Sequence, residues 1–160
     1  MSVNFRVYGG KVYAVRDVSF FVRAGECLCI VGESGSGKSV TVQSMMGLSS
    51  GQITSGQALL NGKDLIPMKQ NERRRVLGKE IAMIFQDLGV VAQMADRVAV
   101  MYAGKIVEEG TVDEVFYESK HPYTVGLKRA MPKDTGSVSE PLQPIPGTPP
   151  DLFAPPPGCA

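Results

Sequence analysis

ECLCIV at Glu26–Val31 runs directly into GESGSGKS at Gly32–Ser39, and the reading of this stretch decides the fold. The first six residues form a short apolar run of the kind that makes a buried strand. The next eight fit the phosphate-binding pattern GxxxxGK[ST] at every fixed position, a spacing that wraps backbone N–H groups around phosphates and hands them to a helix N-terminus. Gly32, Gly35 and Gly37 let the main chain approach a phosphate closely, with Glu33, Ser34 and Ser36 between them. Lys38 supplies positive charge to the β and γ phosphates, and the Ser39 hydroxyl suits Mg²⁺, an oxygen-seeking ion that borrows part of its shell from phosphate. Ser39–Leu48 reads as the following helix, with Val42, Met45 and Met46 on one face and Gly47 near its stop. Strand, loop and helix therefore come in the order that the motif requires, which predicts a nucleotide-binding chain with magnesium.

Composition sets bounds around this reading. The chain has 160 residues, 43% of them hydrophobic, and a formal charge of +1, as expected for one soluble globular domain with no field for nucleic acid or anionic lipid. No apolar stretch approaches the ~20 residues that span a bilayer, and Met1–Gly10 has no signal-peptide core, so a cytoplasmic protein is expected. Cys27 and Cys29 stand two apart on the strand before the loop, where small buried hydrophobes on one face are the expected role. With Cys159 as the third cysteine there is no even disulfide framework, and reduced thiols follow.

Upstream of the loop, Ser2–Tyr8 and Val12–Val22 read as strands separated by a turn at Gly9 and Gly10. Downstream, Asn61 and Gly62 form a hairpin-turn dipeptide after Ala58–Leu60. Asn71 is placed to cap a short basic helix through Arg73, Arg74 and Arg75, which reads as a solvated face. Ile81–Phe85 makes another buried strand that ends in Gln86 and Asp87, a position suited to polar groups near a nucleotide.

The order of AVRDVSF, GECLCIVGESGSGKS, SGQALLNGKDL and IAMIFQD resembles the ATP-binding subunit of ABC transporters, in the oligopeptide and dipeptide importer branch. DLGVVAQMADRVAVMYAGKIVEEG resembles the segment that follows the switch region in that family, and HPYT with PIPGTPPDLF resembles its C-terminal extension. The resemblance implies an α/β, ABC-type P-loop core with an N-terminal antiparallel β subdomain, over residues 1–115, followed by a proline-rich extension over 116–160. It makes Gly32–Ser39 the Walker A loop, with Val40 in the nucleotide contact, and Gln86 the Q-loop glutamine that senses Mg²⁺ and faces the membrane subunit. Phe5 stands where the family places an aromatic that stacks on adenine, and Tyr8 competes for that role. The implied cofactors are ATP and Mg²⁺. The implied partners are permease subunits, a second ATP-binding subunit and a separate peptide-binding protein, at the inner face of the membrane.

A departure from the pattern carries as much information. IAMIFQD passes straight into LGVVAQMAD, two pieces that lie far apart in the family, so a join is expected near residues 87 and 88. The block between them in family members holds the helical subdomain, the signature LSGGQ, the Walker B carboxylates and the switch histidine. Three look-alikes do not replace it. LSSGQ at Leu48–Gln52 follows the P-loop helix directly, Asp113 and Glu114 read as an exposed helix start, and His121 belongs to HPYT as a structural residue.

Hydrolysis needs a carboxylate to orient water, another behind the metal, and positive groups at the γ-phosphate. A chain without that block is expected to bind nucleotide and not to hydrolyse it. The loss of central strands is expected to leave one flank of the sheet open and prone to association, with Val98–Met101 and Lys105–Val107 on the other flank around an Ala103–Gly104 turn. The tail from Pro132 to Ala160 is expected to be extended, with Leu142, Ile145, Leu152 and Phe153 as its few large apolar groups.

Overall fold

A computed structural model describes residues 1–77, 79–81, 95–130, 145, 147 and 150–155. In chain order the strands are β1 (Ser2–Val7), β2 (Gly10–Val15), β3 (Leu28–Val31), β4 (Gln52–Ser55), β5 (Leu59–Leu60), β6 (Lys63–Asp64), β7 (Arg97–Tyr102) and β8 (Lys105–Thr111). The helices are α1 (Lys38–Met45), α2 (Gln70–Val76), α3 (Val112–Tyr117) and α4 (Pro122–Arg129). β2, β1 and β4 form one antiparallel sheet, and β5 and β6 form a separate hairpin. In the third sheet β3 runs parallel to β7, which pairs antiparallel with β8.

The β3-β7-β8 sheet is the middle layer, and its side-chain alternation explains why. Ile30, Met101 and Ile106 face the N-terminal sheet, where they pack with Val3, Val15, Val18 and Ile53. Cys29, Val31, Val98, Val100 and Val107 face the other way, against Val115, Tyr123 and Leu127 of α3 and α4. A strand buried on both faces must be apolar at every position, as β7 is from Val98 to Met101, each with no exposed surface. Tyr123 and Leu127 thus share one core with Val31, and a division after residue 115 falls inside α3.

Both expected hairpin turns are present. Asn61 and Gly62 take φ of 49° and 79°, and Ala103 and Gly104 take 46° and 81°, the paired left-handed conformations of a two-residue turn matched to strand twist. The N-terminal strands differ from expectation in their limits. β1 ends at Val7, one residue short of Tyr8, Gly10 opens β2 rather than lying in the turn, and β2 stops at Val15 instead of Val22. Beyond it Asp17 adopts φ of 52°, a left-handed conformation that ends the extended run, and Val18 turns back into the core.

α3 starts on a capping box, in which the Thr111 hydroxyl accepts from the Glu114 N–H while the Glu114 carboxylate accepts from the Thr111 N–H. Asp113 and Glu114 are exposed there, as the sequence implies. α4 starts with Pro122 at its first turn, and the His121 imidazole accepts from the Tyr123 N–H, which gives this histidine a structural role.

Three local expectations are corrected. Asn71 does not cap α2, because the helix begins at Gln70 with Lys69 as its N-cap and no side-chain cap. Arg73 is not a solvated neighbour of Arg74 and Arg75. Its guanidinium donates to the carbonyls of Leu65, Ile66 and Met68, and it lies where a Cβ on Gly47 would stand, so Gly47 makes room for it. Cys27 is exposed and precedes β3, while Cys29 alone is half-buried, its thiol pKa raised by burial and then by Cys27. Residues 82–94, and with them Gln86, Asp87 and the join, lie outside the described residues, as do Leu142 and Cys159.

Of the tail, Ile145 lies on Gly126 of α4, the Leu152 carbonyl accepts from the Tyr13 N–H at 3.0 Å, and the Phe153 ring approaches Gly10.

Candidate phosphate-binding site

β3 ends at Val31, and the chain then loops through residues 32–37 into α1. The loop is held from four directions. Gly32 lies so close to β7 that a Cβ would stand 2.0 Å from the Met101 carbonyl oxygen. Gly37, with φ of 99°, lies equally close to β2, where a Cβ would stand 2.4 Å from the Ala14 carbonyl oxygen. The Gly104 N–H, in the β7–β8 turn, donates to the Ser36 carbonyl at 3.0 Å. From α4, the Tyr123 hydroxyl accepts the Glu33 N–H at 2.9 Å.

Gly37 is the N-cap of α1 and brings no side-chain acceptor, so the first N–H groups of the helix are left for an external anion. Lys38 is the first helical residue. Its ammonium donates to the Gly32 carbonyl at 2.8 Å, the Glu33 carbonyl at 2.6 Å and the Ser36 hydroxyl at 3.3 Å, which holds it inside the curve of the loop. Burial pulls its pKa below the ordinary 10.5, and the neighbouring Glu33 charge offsets part of that shift. A partly desolvated cation beside uncapped helix N–H groups is chemistry that fits a polyphosphate. Ser34, Gly35 and Ser39 are exposed, and Ser39 thus has its hydroxyl open to a metal-bound phosphate. Among the described residues no group of three or more His, Cys, Asp or Glu could hold a metal by itself, so a cation here would depend on phosphate oxygens.

α1 buries a different face from the one expected. Thr41 and Ser44 are buried along with Met46, while Val42 and Met45 are half-exposed. The close approach of Gly37 to Ala14 and Met101 turns residues 37, 41 and 44 inward, and Thr41 meets that demand by donating its hydroxyl to the Gly37 carbonyl at 2.9 Å. Val40 packs against the Met101 core. Of the two aromatic candidates, Phe5 is packed into the same core, its ring against Gly51, and Tyr8 is fully exposed at the β1–β2 turn. Sequence reasoning missed Tyr123, because nothing local in the sequence pairs position 33 with a residue 90 positions further along the chain.

Residues 15–137, more than half of the chain, match the ABC transporter family. The chain belongs to that family. This ABC transporter chain is 34% identical, over 279 aligned positions, to the oligopeptide transport ATP-binding protein OppD of Bacillus subtilis, with all of the chain and 78% of that protein covered. It is 33% identical over 278 positions to the dipeptide transport ATP-binding protein DppD of the same organism, with 99% and 83% covered. The oligopeptide transport ATP-binding protein AmiE of Streptococcus pneumoniae is 50% identical over 90 residues, 56% of this chain and 24% of that protein.

The alignment to OppD has 279 positions and this chain 160 residues, so OppD carries positions within the aligned span that have no counterpart here. The fold is similar to the ATP-binding cassette MJ0796, solved as a dimer in a post-hydrolysis state with ADP and Pi. The TM-score is 0.58 at 11% identity, with 69% of this chain and 96% of that one covered. Among the described residues no helix is long and apolar enough to cross a membrane.

Proposed function

We propose that this chain binds the phosphates of ATP on the Gly32–Ser39 loop, as an ATP-binding component of the oligopeptide and dipeptide importer type, and that it does not hydrolyse the nucleotide at a rate useful for transport. The single observation that carries the binding half is the loop geometry, with the Lys38 ammonium inside a curve of carbonyls in front of an uncapped helix. Lys38 trades part of its contact with the Gly32 and Glu33 carbonyls for phosphate oxygens, and the N–H groups at the start of α1 take the remainder. Mg²⁺, when bound, neutralises phosphate charge, with Ser39 and, by the family pattern, Gln86 as its protein contacts. Tyr8 is the freer ring for stacking on adenine, since Phe5 is engaged in the core.

The second half rests on composition of the chain itself. No LSGGQ follows Asp87 in the sequence, no apolar strand among the described residues ends in paired carboxylates, and the one histidine caps α4. Loss of a single general base costs ~10²- to 10⁴-fold in rate, and several such groups act together in phosphoryl transfer. The relatives' names place OppD and DppD in peptide transport, which supports permease subunits as partners. A second ATP-binding subunit and a place at the cytoplasmic face of a membrane follow from the family resemblance alone.

Titration of the purified chain with a fluorescent ATP analogue, with and without Mg²⁺, tests the binding half. Saturable binding competed by ATP is expected, and its absence would remove the reading. Phosphate release measured on the same sample tests the second half.

A further inference from the structure

The phosphate loop is tied to a helix 90 residues further along the chain. The peptide group that joins Gly32 to Glu33, the Glu33 peptide, is gripped on both sides. Its N–H donates to the Tyr123 hydroxyl at 2.9 Å, and its carbonyl, that of Gly32, accepts from Lys38 Nζ at 2.8 Å; the next carbonyl, that of Glu33, accepts from Lys38 Nζ at 2.6 Å and from the Ser36 N–H at 3.2 Å. One grip therefore comes from the residue that meets phosphate, and the other from α4.

Tyr123 is itself firmly placed. It is 7% exposed, its ring lies 4.4 Å from that of Tyr102, and its own N–H is taken by the His121 imidazole. The turn before it is pinned to β8, because the Glu108 carboxylate accepts from the N–H groups of Lys120 and His121. Burial raises the Tyr123 pKa to about 12, so the phenol is neutral under physiological conditions. A neutral oxygen suits this place. It accepts the Glu33 N–H without adding negative charge beside a polyphosphate, which an aspartate or glutamate there would do.

We propose that Tyr123 is a positioning residue for nucleotide binding: through its hydroxyl, α4 holds the Glu33 peptide, and with it Lys38, in the shape that receives phosphate. The inference rests on the phosphate-binding function proposed above. It assigns HPYT a task at the nucleotide site in place of a passive link to the tail. Deleting the hydroxyl strands one loop N–H and frees the Glu33 peptide to rotate, while the ring keeps its packing with Tyr102.

The test compares the full chain with Y123F and with Y102F, a control that removes a hydroxyl from the stacked ring with no bond to the loop. The measurements are binding of a fluorescent ATP analogue, exchange of the Glu33 amide followed by NMR, and the melting temperature. Y123F is expected to bind the analogue about 5- to 20-fold more weakly and to exchange the Glu33 amide at least about tenfold faster, while Y102F matches the parent chain. E33P deletes the donor instead of the acceptor, and the double variant E33P/Y123F is expected to bind no more weakly than E33P alone.

Unchanged affinity in Y123F, or a further loss in the double variant, overturns the proposal. Unchanged Glu33 exchange in Y123F overturns it as well, whatever the nucleotide does. Absence of binding by the parent chain would instead remove the phosphate-binding reading, and the exchange result would then decide the tether alone.

Discussion

The two sides of β3 are furnished unequally. On one side β7 and β8 extend the sheet, and α3 and α4 cover it, so that Val31, Val98 and Val100 lie in a continuous core with Val115, Tyr123 and Leu127. On the other side no strand pairs with β3 among the described residues. All four grips on the phosphate loop, from Met101, Ala14, Gly104 and Tyr123, come from elements on the furnished side or from the N-terminal sheet. In the family pattern the carboxylates and histidine of hydrolysis belong to strands on the bare side. Under the proposed function the phosphate cradle and the machinery that consumes the nucleotide are separable, because the family pattern builds them on opposite flanks of one strand.

The largest expected effect tests whether the neighbouring strands shape the loop. Ala at Gly37 would force a Cβ to within 2.4 Å of the Ala14 carbonyl at a φ of 99°, so G37A is expected to cost about 3 kcal/mol or more. Gly35 has φ of 80° but nothing within 4 Å, and G35A should cost only the backbone strain of about 1 kcal/mol. Urea denaturation measures both, and equal losses would break the claim that close approach to the neighbouring strands, and not conformation alone, fixes the loop.

Next in size, K38A removes the ammonium that lies inside the loop. It is expected to weaken binding of a fluorescent ATP analogue about a hundredfold, roughly 2.7 kcal/mol. Stability should change little, since a partly buried, desolvated cation is lost with its contacts. A smaller effect follows at α2. R73A strands the carbonyls of Leu65, Ile66 and Met68 and should cost about 2 kcal/mol in thermal or urea unfolding, whereas R74A should stay within about 0.5 kcal/mol.

The smallest concerns the anchor of α4. Burial acts to raise the Glu108 pKa, yet the N–H groups of Lys120 and His121 outweigh it and hold the carboxyl below its ordinary 4.5. A folded-state pKa below the unfolded one stabilises the fold above about pH 4.5 and ceases to do so as pH falls through the lower, folded value. With solvent screening the contribution is below about 1 kcal/mol. E108Q should therefore flatten the pH dependence of unfolding in that acidic window, and an unchanged pH profile would count against the anchor.

What could be read from sequence was what local chemistry dictates. The glycine spacing at 32, 35 and 37, the Asn61–Gly62 and Ala103–Gly104 turns, and the apolar run of β7 each require a particular backbone and received it. What could not be read depends on partners far along the chain. Arg73 looks like one of three equal arginines until Gly47 and the Leu65–Met68 carbonyls are brought around it. Thr41 and Ser44 look less apt for burial than Val42 and Met45, and they are inward only because Gly37 is pressed against Ala14. Cys27 reads as a member of an apolar strand, but its N–H is taken by the Asp96 carboxylate and β3 begins one residue later.

The separation of cradle from catalysis is tested most directly by measuring nucleotide binding and steady-state phosphate release on one sample of the purified chain, with Mg²⁺ present. The account predicts saturable binding that K38A weakens about a hundredfold, with phosphate release no faster than in the K38A control. Phosphate release well above that control, lost in K38A, would contradict it.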